Sequence, residues 1–361
     1  MIKVVEVILD LSKRAGAEVF FFSLCKELSQ SKEIELSIIS LYNNVDSSFD
    51  ELRTLSNCHF YTCDKKKGVD FRAAKKFRKI IKKINPTIIH THRSILPTYF
   101  LAFGLAKRKW KIVHTLHSIP SKECSKTTNI LRKPFIRKKM LAFVGISKTI
   151  SSLFLDANKK AKIVTINNGV IDFDYDKNQQ KIYDFISIGR FTSVKNHKML
   201  FDVFNMVWKK HQNIKLICLG DGELFDESKK YISSLPCFKN IFLIGATSNV
   251  GCYLSSSKVF VMSSIYEGNP ISILEALHCG LPIVAPNVGG IPDVIDNNVN
   301  GILFPVCDYQ GMYDSMHKLL IDGEFYNKMV MYNKQHSNDF SIHECSKKYI
   351  DFFYEINQKK V

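Results

Sequence analysis

From end to end the chain alternates short apolar runs with stretches of helical periodicity, a pattern that only parallel sheets covered by helices on both faces satisfy. In the first half, strands are expected at 2–9, 35–41, 57–61, 87–91, 111–116, 141–146 and 162–166, with helices near 17–30, 69–84, 94–107 and 147–157. The pattern then restarts. Strands are expected near 184–189, 214–219, 240–244, 258–262, 282–285 and 302–304, and helices near 196–211, 223–234, 270–279, 309–321 and 342–357. Between the halves, residues 172–180 are polar and non-periodic, as a linker should be. The reading is α/β with two doubly wound domains, 1–170 and 171–341, facing a central cleft. Residues 342–361 form a last helix with room to cross back to the first domain.

Composition narrows the class. Of 361 residues, 45% are hydrophobic and 24% charged, enough apolar material for real cores. No run reaches the roughly 18 apolar residues of a spanning helix. The opening run carries Glu6 in its middle, so it reads as a buried strand and not as a signal peptide, which places the expected protein in the cytoplasm. Ten cysteines are scattered without a C-x-x-C pair, the usage of reduced core thiols.

Charge is lopsided. Residues 1–170 hold 32 Lys and Arg against 13 Asp and Glu, while the remainder holds 19 against 21. The densest piece, 71–84, places Phe71, Ala74, Phe77, Ile81 and Ile84 at helical spacing with a basic opposite face; a second cluster runs from Arg132 to Lys139. Each alone suits a solvated helix face. Together they point to an anionic membrane surface, because zinc-finger spacing, an aromatic RNP strand and a recognition helix, the marks of a nucleic-acid partner, are all missing.

Three stretches carry chemistry. Gly16, after the first strand, allows a tight turn at a helix N-terminus. Gly189, Arg190 and Lys195 follow the first strand of the second half, where two cations beside a helix N-terminus make a diphosphate clamp. Glu267 sits in a loop after a strand and Glu275 in the helix that Pro270 helps start; carboxylates so placed accept hydrogen bonds from sugar and ribose hydroxyls.

In order and spacing, Gly16-Ala17-Glu18, Asn168-Gly169-Val170, Gly189-Arg190 with Lys195, Gly220-Asp221-Gly222, Glu267-Gly268 with Glu275-Ala276, and Gly289-Gly290-Ile291-Pro292 closely resemble glycosyltransferase family 4. The resemblance implies a GT-B fold and sugar transfer from a nucleotide sugar with retention of configuration. It also implies an N-terminal acceptor domain and a C-terminal nucleotide-sugar domain. By the same resemblance Arg190 and Lys195 hold the donor diphosphate, Glu267 lies near the sugar hydroxyls, Glu275 binds the ribose, and Gly16 faces phosphate. His117 resembles the histidine beside the transferred sugar, and Gly268, Ile271 and Ser272 belong to the loop that presents amides to the donor. Asn269 replaces a frequent phenylalanine, and Asp293 a frequent glutamate.

The donor implied is a UDP-linked hexose or N-acetylhexosamine, a substrate, so no cofactor and no metal are expected. Acceptors would be a glycan or a polyprenyl-diphosphate-linked chain at the inner face of the membrane, in surface-polysaccharide assembly. The aspartates at 172, 174 and 176 imitate a D-x-D metal motif but fall in the linker. His90-Thr91-His92 lacks a Cys or carboxylate at ligand spacing, so zinc is not expected there. Two rivals stay open: an inactive scaffold of the same fold, and an epimerase acting on nucleotide sugars.

Overall fold

The computed structural model describes residues 1–12, 16–68, 70–93, 110–119, 123, 126–173, 175–176 and 179–358. The expected helix at 94–107 lies outside the described residues, as does Asp174. Two compact units emerge, one of Met1–Ile171 with Ile342–Val361, the other of Asp172–Ser341.

In the first unit seven strands run parallel: β1 (Ile2–Ile8), β2 (Ile34–Ser40), β3 (Cys58–Thr62), β4 (Ile88–His92), β5 (Lys111–Leu116), β6 (Leu141–Gly145) and β7 (Lys162–Thr165). Their order is β3-β2-β1-β4-β5-β6-β7. Val4, Val5, Val7 and Ile8 of β1 are all buried, as expected of a central strand covered on both faces. Helices α1 (Gly16–Gln30), α2 (Phe71–Ile84), α3 (Lys126–Arg137) and α4 (Lys148–Ala157) connect these strands.

α2 shows how the sequence specifies an element. Asp70 accepts hydrogen bonds from the amides of Arg72 and Ala73 and caps the start, and Asn85, left-handed at φ 48°, ends the helix. Ala73, Phe77 and Ile81 form the buried stripe, and the lysines and arginines point to solvent. Phe71 departs from expectation at 82% exposure, since two positions before Ala73 place it roughly 200° around the helix from that stripe. Arg132 departs the other way. It is fully buried, with its guanidinium 4.6 Å from the Phe154 ring centroid and 5.6 Å from that of Phe143, so it belongs to the core and not to the basic surface.

The second unit holds β8 (Tyr183–Ile188), β9 (Leu216–Leu219), β10 (Ile241–Gly245), β11 (Ser257–Val261), β12 (Ile283–Pro286) and β13 (Gly301–Phe304). All are parallel, in the order β10-β9-β8-β11-β12-β13. Around them lie α5 (His197–Lys210), α6 (Phe225–Ser233), α7 (Val250–Ser255), α8 (Ile271–His278), α9 (Tyr309–Ile321) and α10 (Gly323–Gln335). The short α7 and the polar α10 were not anticipated by periodicity. α10 is anchored partly by Asn333, whose buried amide donates to the carbonyls of Leu281 at 2.8 Å and Asn300 at 3.1 Å, a signal that apolar spacing does not carry.

The last helix, α11 (Ile342–Gln358), packs within the first unit: the Ile342 amide donates to the Val170 carbonyl at 2.7 Å, and Tyr349 and Phe353 are buried. Each sheet reverses its strand order once, between β1 and β4 and between β8 and β11. Such switch points leave a crevice at the carboxyl ends of the strands.

Candidate active site

At the switch point of the second unit, β8 ends and the chain passes through Gly189 to Arg190, which is exposed. A 3-10 turn at Ser193–Lys195 follows, and α5 starts two residues later, after Asn196 at φ 50° and within one residue of the expected start. The aliphatic stem of Lys195 lies over Gly189, within 3.6 Å of where a Cβ would stand. Lys195 Nζ reaches Glu267 Oε1 at 2.6 Å.

The loop after β11 is tied to that turn. Ser263 Oγ donates to the carbonyls of Lys195 at 3.1 Å and Asn196 at 2.9 Å, and the Ile265 amide donates to Val194 O at 2.8 Å. Ser264 Oγ donates to Glu267 Oε1 at 2.6 Å. Glu267 is thus buried with one oxygen shared between a cation and a hydroxyl. On its other side the Glu267 carbonyl accepts from the Gly290 amide at 3.2 Å. Gly289, at φ 59°, lies so close that a Cβ would stand 1.8 Å from that carbonyl oxygen, so the turn after β12 requires glycine.

Pro270 precedes α8 without a side-chain cap. The amides of Ile271 and Ser272 therefore begin the helix with no partner inside it, and the positive end of the helix lies directly after the Glu267-Gly268 loop. Glu275 sits half-buried one turn further along. Lys195 and Glu267 are in direct contact, Gly268 continues the Glu267 loop, and Ile271 and Ser272 open the helix that follows it. Gly289, which the sequence marks only as part of a motif, and Ser263 and Ser264, which it gives no role, complete the arrangement.

Gly16 and His117 belong to the first unit. Gly16 opens α1 with nothing within 4 Å of a built Cβ and without positive φ, so local packing does not demand glycine there. Glu18 is buried and forms an ion pair with Arg93. His117 follows β5 and is half-buried, with its Nε2 3.0 Å from His92 Nδ1.

Behind His117 lies a polar group that spacing did not reveal. Glu6 on β1 and His90 on β4 are register partners, as are Ile8 and His92. Fully buried, Glu6 meets His90 Nδ1 at 2.8 Å and His92 Nε2 at 2.9 Å. His90 Nε2 meets Thr115 Oγ at 2.8 Å, and Thr115 Oγ lies 3.1 Å from the Tyr349 hydroxyl on α11. Phe20, Phe21, Tyr349 and Phe353 wall the histidines with ring contacts. Burial alone would raise the Glu6 carboxyl, but the two imidazoles outweigh it and hold the group at about 2. Burial, then His90, push His92 down to about 4. Glu6 is thus the carboxylate that the His90-Thr91-His92 motif lacked; it comes from a neighbouring strand, with ligand-capable atoms of all three residues within 4.8 Å of one another. These atoms already bond one another directly.

Comparison with known proteins shows the family. The family model for Glycosyltransferase Family 4 matches residues 14–172, and that for Glycosyl transferases group 1 matches residues 171–336. The capsular polysaccharide biosynthesis glycosyltransferase CapH of Staphylococcus aureus is 29% identical over 302 residues, covering 80% of this chain and 82% of that one. An Escherichia coli UDP-Gal:alpha-D-GlcNAc-diphosphoundecaprenol alpha-1,3-galactosyltransferase is 25% identical over 335 residues, covering 87% and 76%. Among solved structures, Anabaena HepE in complex with UDP aligns with a TM-score of 0.80 over 98% of this chain and 100% of that chain, at 16% identity. Matched along both units, the chain belongs to glycosyltransferase family 4 and has the GT-B fold.

Proposed function

We propose that this glycosyltransferase moves a hexose or N-acetylhexosamine from a UDP-sugar to a hydroxyl of a glycan or lipid-linked acceptor, with retention, in surface-polysaccharide biosynthesis. The observation that carries the reading is the Lys195–Glu267 pair at 2.6 Å, set at a switch point whose loops also carry exposed Arg190 and lead into an uncapped helix N-terminus. Cations and helix amides suit a diphosphate, and carboxylates suit hydroxyls. The relatives' names support the donor and the pathway: one uses UDP-Gal and a diphosphoundecaprenol-linked acceptor, and another acts in capsular polysaccharide biosynthesis.

The leaving group is UDP, so the enzyme's main task is to neutralise charge on the departing phosphate as the anomeric carbon becomes oxocarbenium-like. We assign that charge to Arg190, Lys195 and the first amides of α8, Ile271 and Ser272, without a metal, and the family resemblance assigns Gly16 of the first unit to phosphate as well. Glu267 with Gly268 holds the sugar, Glu275 the ribose, and His117 lies beside the transferred ring. The acceptor oxygen bonds to the anomeric carbon on the face UDP leaves, and its proton passes to the departing phosphate oxygen. A direct test is product analysis by NMR with purified enzyme, UDP-sugar and EDTA: retained configuration and full activity are expected. Trapping a covalent glycosyl–Glu267 species would refute front-face attack.

The acceptor is membrane-bound and the enzyme works as a peripheral protein at the cytoplasmic face. No helix among the described residues is long and apolar enough to cross a membrane. The solvent-facing lysines and arginines of α2, with exposed Phe71 at its start, suit an anionic bilayer, where each cation adds about 1 kcal/mol. Co-sedimentation with vesicles containing anionic lipid at low salt is expected, weakening about fivefold for each α2 lysine replaced by Gln. Indifference to vesicle charge would overturn this part of the reading.

A further inference from the structure

The buried group of the first unit specifies more than His117's place; it specifies its tautomer. An ionised Glu6 can only accept, so the two nitrogens against it, His90 Nδ1 at 2.8 Å and His92 Nε2 at 2.9 Å, must both donate. Their mutual approach of 3.3 Å is then two N–H groups converging on one carboxylate. A neutral His92 with hydrogen on Nε2 has its lone pair on Nδ1. That lone pair faces His117 Nε2 at 3.0 Å, so His117 donates from Nε2 and carries its own lone pair on Nδ1.

The remainder of the network agrees. With the hydrogen of His90 on Nδ1, its Nε2 accepts from Thr115 Oγ at 2.8 Å, which leaves the Thr115 oxygen to accept from the Tyr349 hydroxyl at 3.1 Å and ties the arrangement to α11. A proton added to His90 would reverse only this Thr115 branch and leave His92 as it is. Among the described residues, the side chains in hydrogen-bond or ring contact with His92 are Glu6, His90, His117, Phe20 and Phe21, and Glu6 is the one carboxylate of these.

We propose that Glu6, acting through His92, is a positioning residue that fixes His117 as its Nε2–H tautomer and so offers Nδ1 to a substrate hydroxyl as an acceptor. Toward a donor sugar this makes His117 a partner for an O–H group and not a cation for phosphate. The assignment of that hydroxyl to the transferred sugar rests on the reading of His117 above; the tautomer itself does not.

Long-range ¹H–¹⁵N spectra of the full-length, histidine-labelled protein at pH 7 test the tautomer directly. His117 is expected as Nε2–H in the wild type. Two variants separate relay from packing: His92→Asn keeps an acceptor oxygen where Nδ1 stands, whereas His92→Gln keeps the donor toward Glu6 and loses that acceptor. Asn should preserve the His117 tautomer and most of kcat. Gln should give mixed tautomers and a kcat about 10- to 100-fold lower.

The Nδ1–H form in the wild type, equal losses in both variants, or stoichiometric zinc on Glu6, His90 and His92 would overturn the proposal. If the tautomer is as expected but His117→Ala leaves transfer intact, the relay stands and the placing of His117 beside the sugar fails.

Discussion

The two switch points of the molecule are built in opposite ways. In the second unit the functional side chains come from contiguous loops, Gly189–Lys195 and Ser263–Ser272, and Lys195 and Glu267 meet where solvent still reaches them. In the first unit Glu6, His90, His92, Thr115 and Tyr349 come from three strands and a distant helix, and all are buried. On the proposed reading the first arrangement presents charge to a ligand, whereas the second leaves its charge buried and orients one half-buried imidazole. The contrast then is between side chains proposed to touch substrate, which are close along the chain, and side chains proposed to act through another, which are far apart along it.

The largest effect expected on breaking this contrast is at Lys195. Lys195→Ala removes a charge from the diphosphate site and leaves Glu267 buried without its cation, so kcat/KM should fall roughly 100- to 1,000-fold. Steady-state transfer assays check it, and a loss under fivefold would show that Lys195 is ornamental to the pair.

Next comes Gly289. A methyl there meets the Glu267 carbonyl and a left-handed backbone, so Gly289→Ala should cost roughly 2–3 kcal/mol of stability and displace Glu267. Denaturant unfolding measures the first, and donor affinity the second.

Acid should distinguish the units. Burial holds His92 at about 4 and His114 and His117 well below the ordinary imidazole range, with neighbouring imidazoles adding to the effect. A depressed folded value means that the unfolded chain binds the proton first. This contribution is complete above about pH 6.5 and is lost as pH falls toward 4, by about 1.4 kcal/mol per pH unit for each histidine. Glu123, raised to about 8 mainly by burial, works in the other direction between about 4.5 and 8 and offsets one of the three. In the second unit the matching deep shift is that of His197, lowered to about 4 by burial and then by Lys195. Hydrogen exchange between pH 7 and 5 should therefore lose protection faster in the first unit; equal losses would contradict the comparison.

The smallest stability effect expected is at Gly16. Open space around its Cβ position predicts that Gly16→Ala changes folding stability by less than about 0.5 kcal/mol. Weaker nucleotide-sugar binding with unchanged melting would assign the glycine to a ligand and not to the fold.

How much the sequence revealed follows the same division. Apolar runs placed every described strand within two residues, because parallel strands buried on both faces are mostly apolar. Arg190, Lys195, Glu267 and Glu275 could be proposed from the sequence because each stretch carries its candidate chemistry within a few residues. Glu6 was visible only as an acid in an apolar strand, and its partners depend on β1 and β4 being neighbours, a fact of topology. Arg132 misled for a related reason: a cation at a basic stretch looks solvated until Phe143 and Phe154 close over it.

The central claim, a UDP-sugar held by the second unit, is tested most directly by calorimetric titration of UDP-, GDP- and ADP-sugars without added metal, into wild type and Arg190→Ala. Selective binding of a UDP-sugar that weakens at least tenfold in the variant is the predicted result. Binding of no nucleotide sugar, or equal affinity in both proteins, would contradict it.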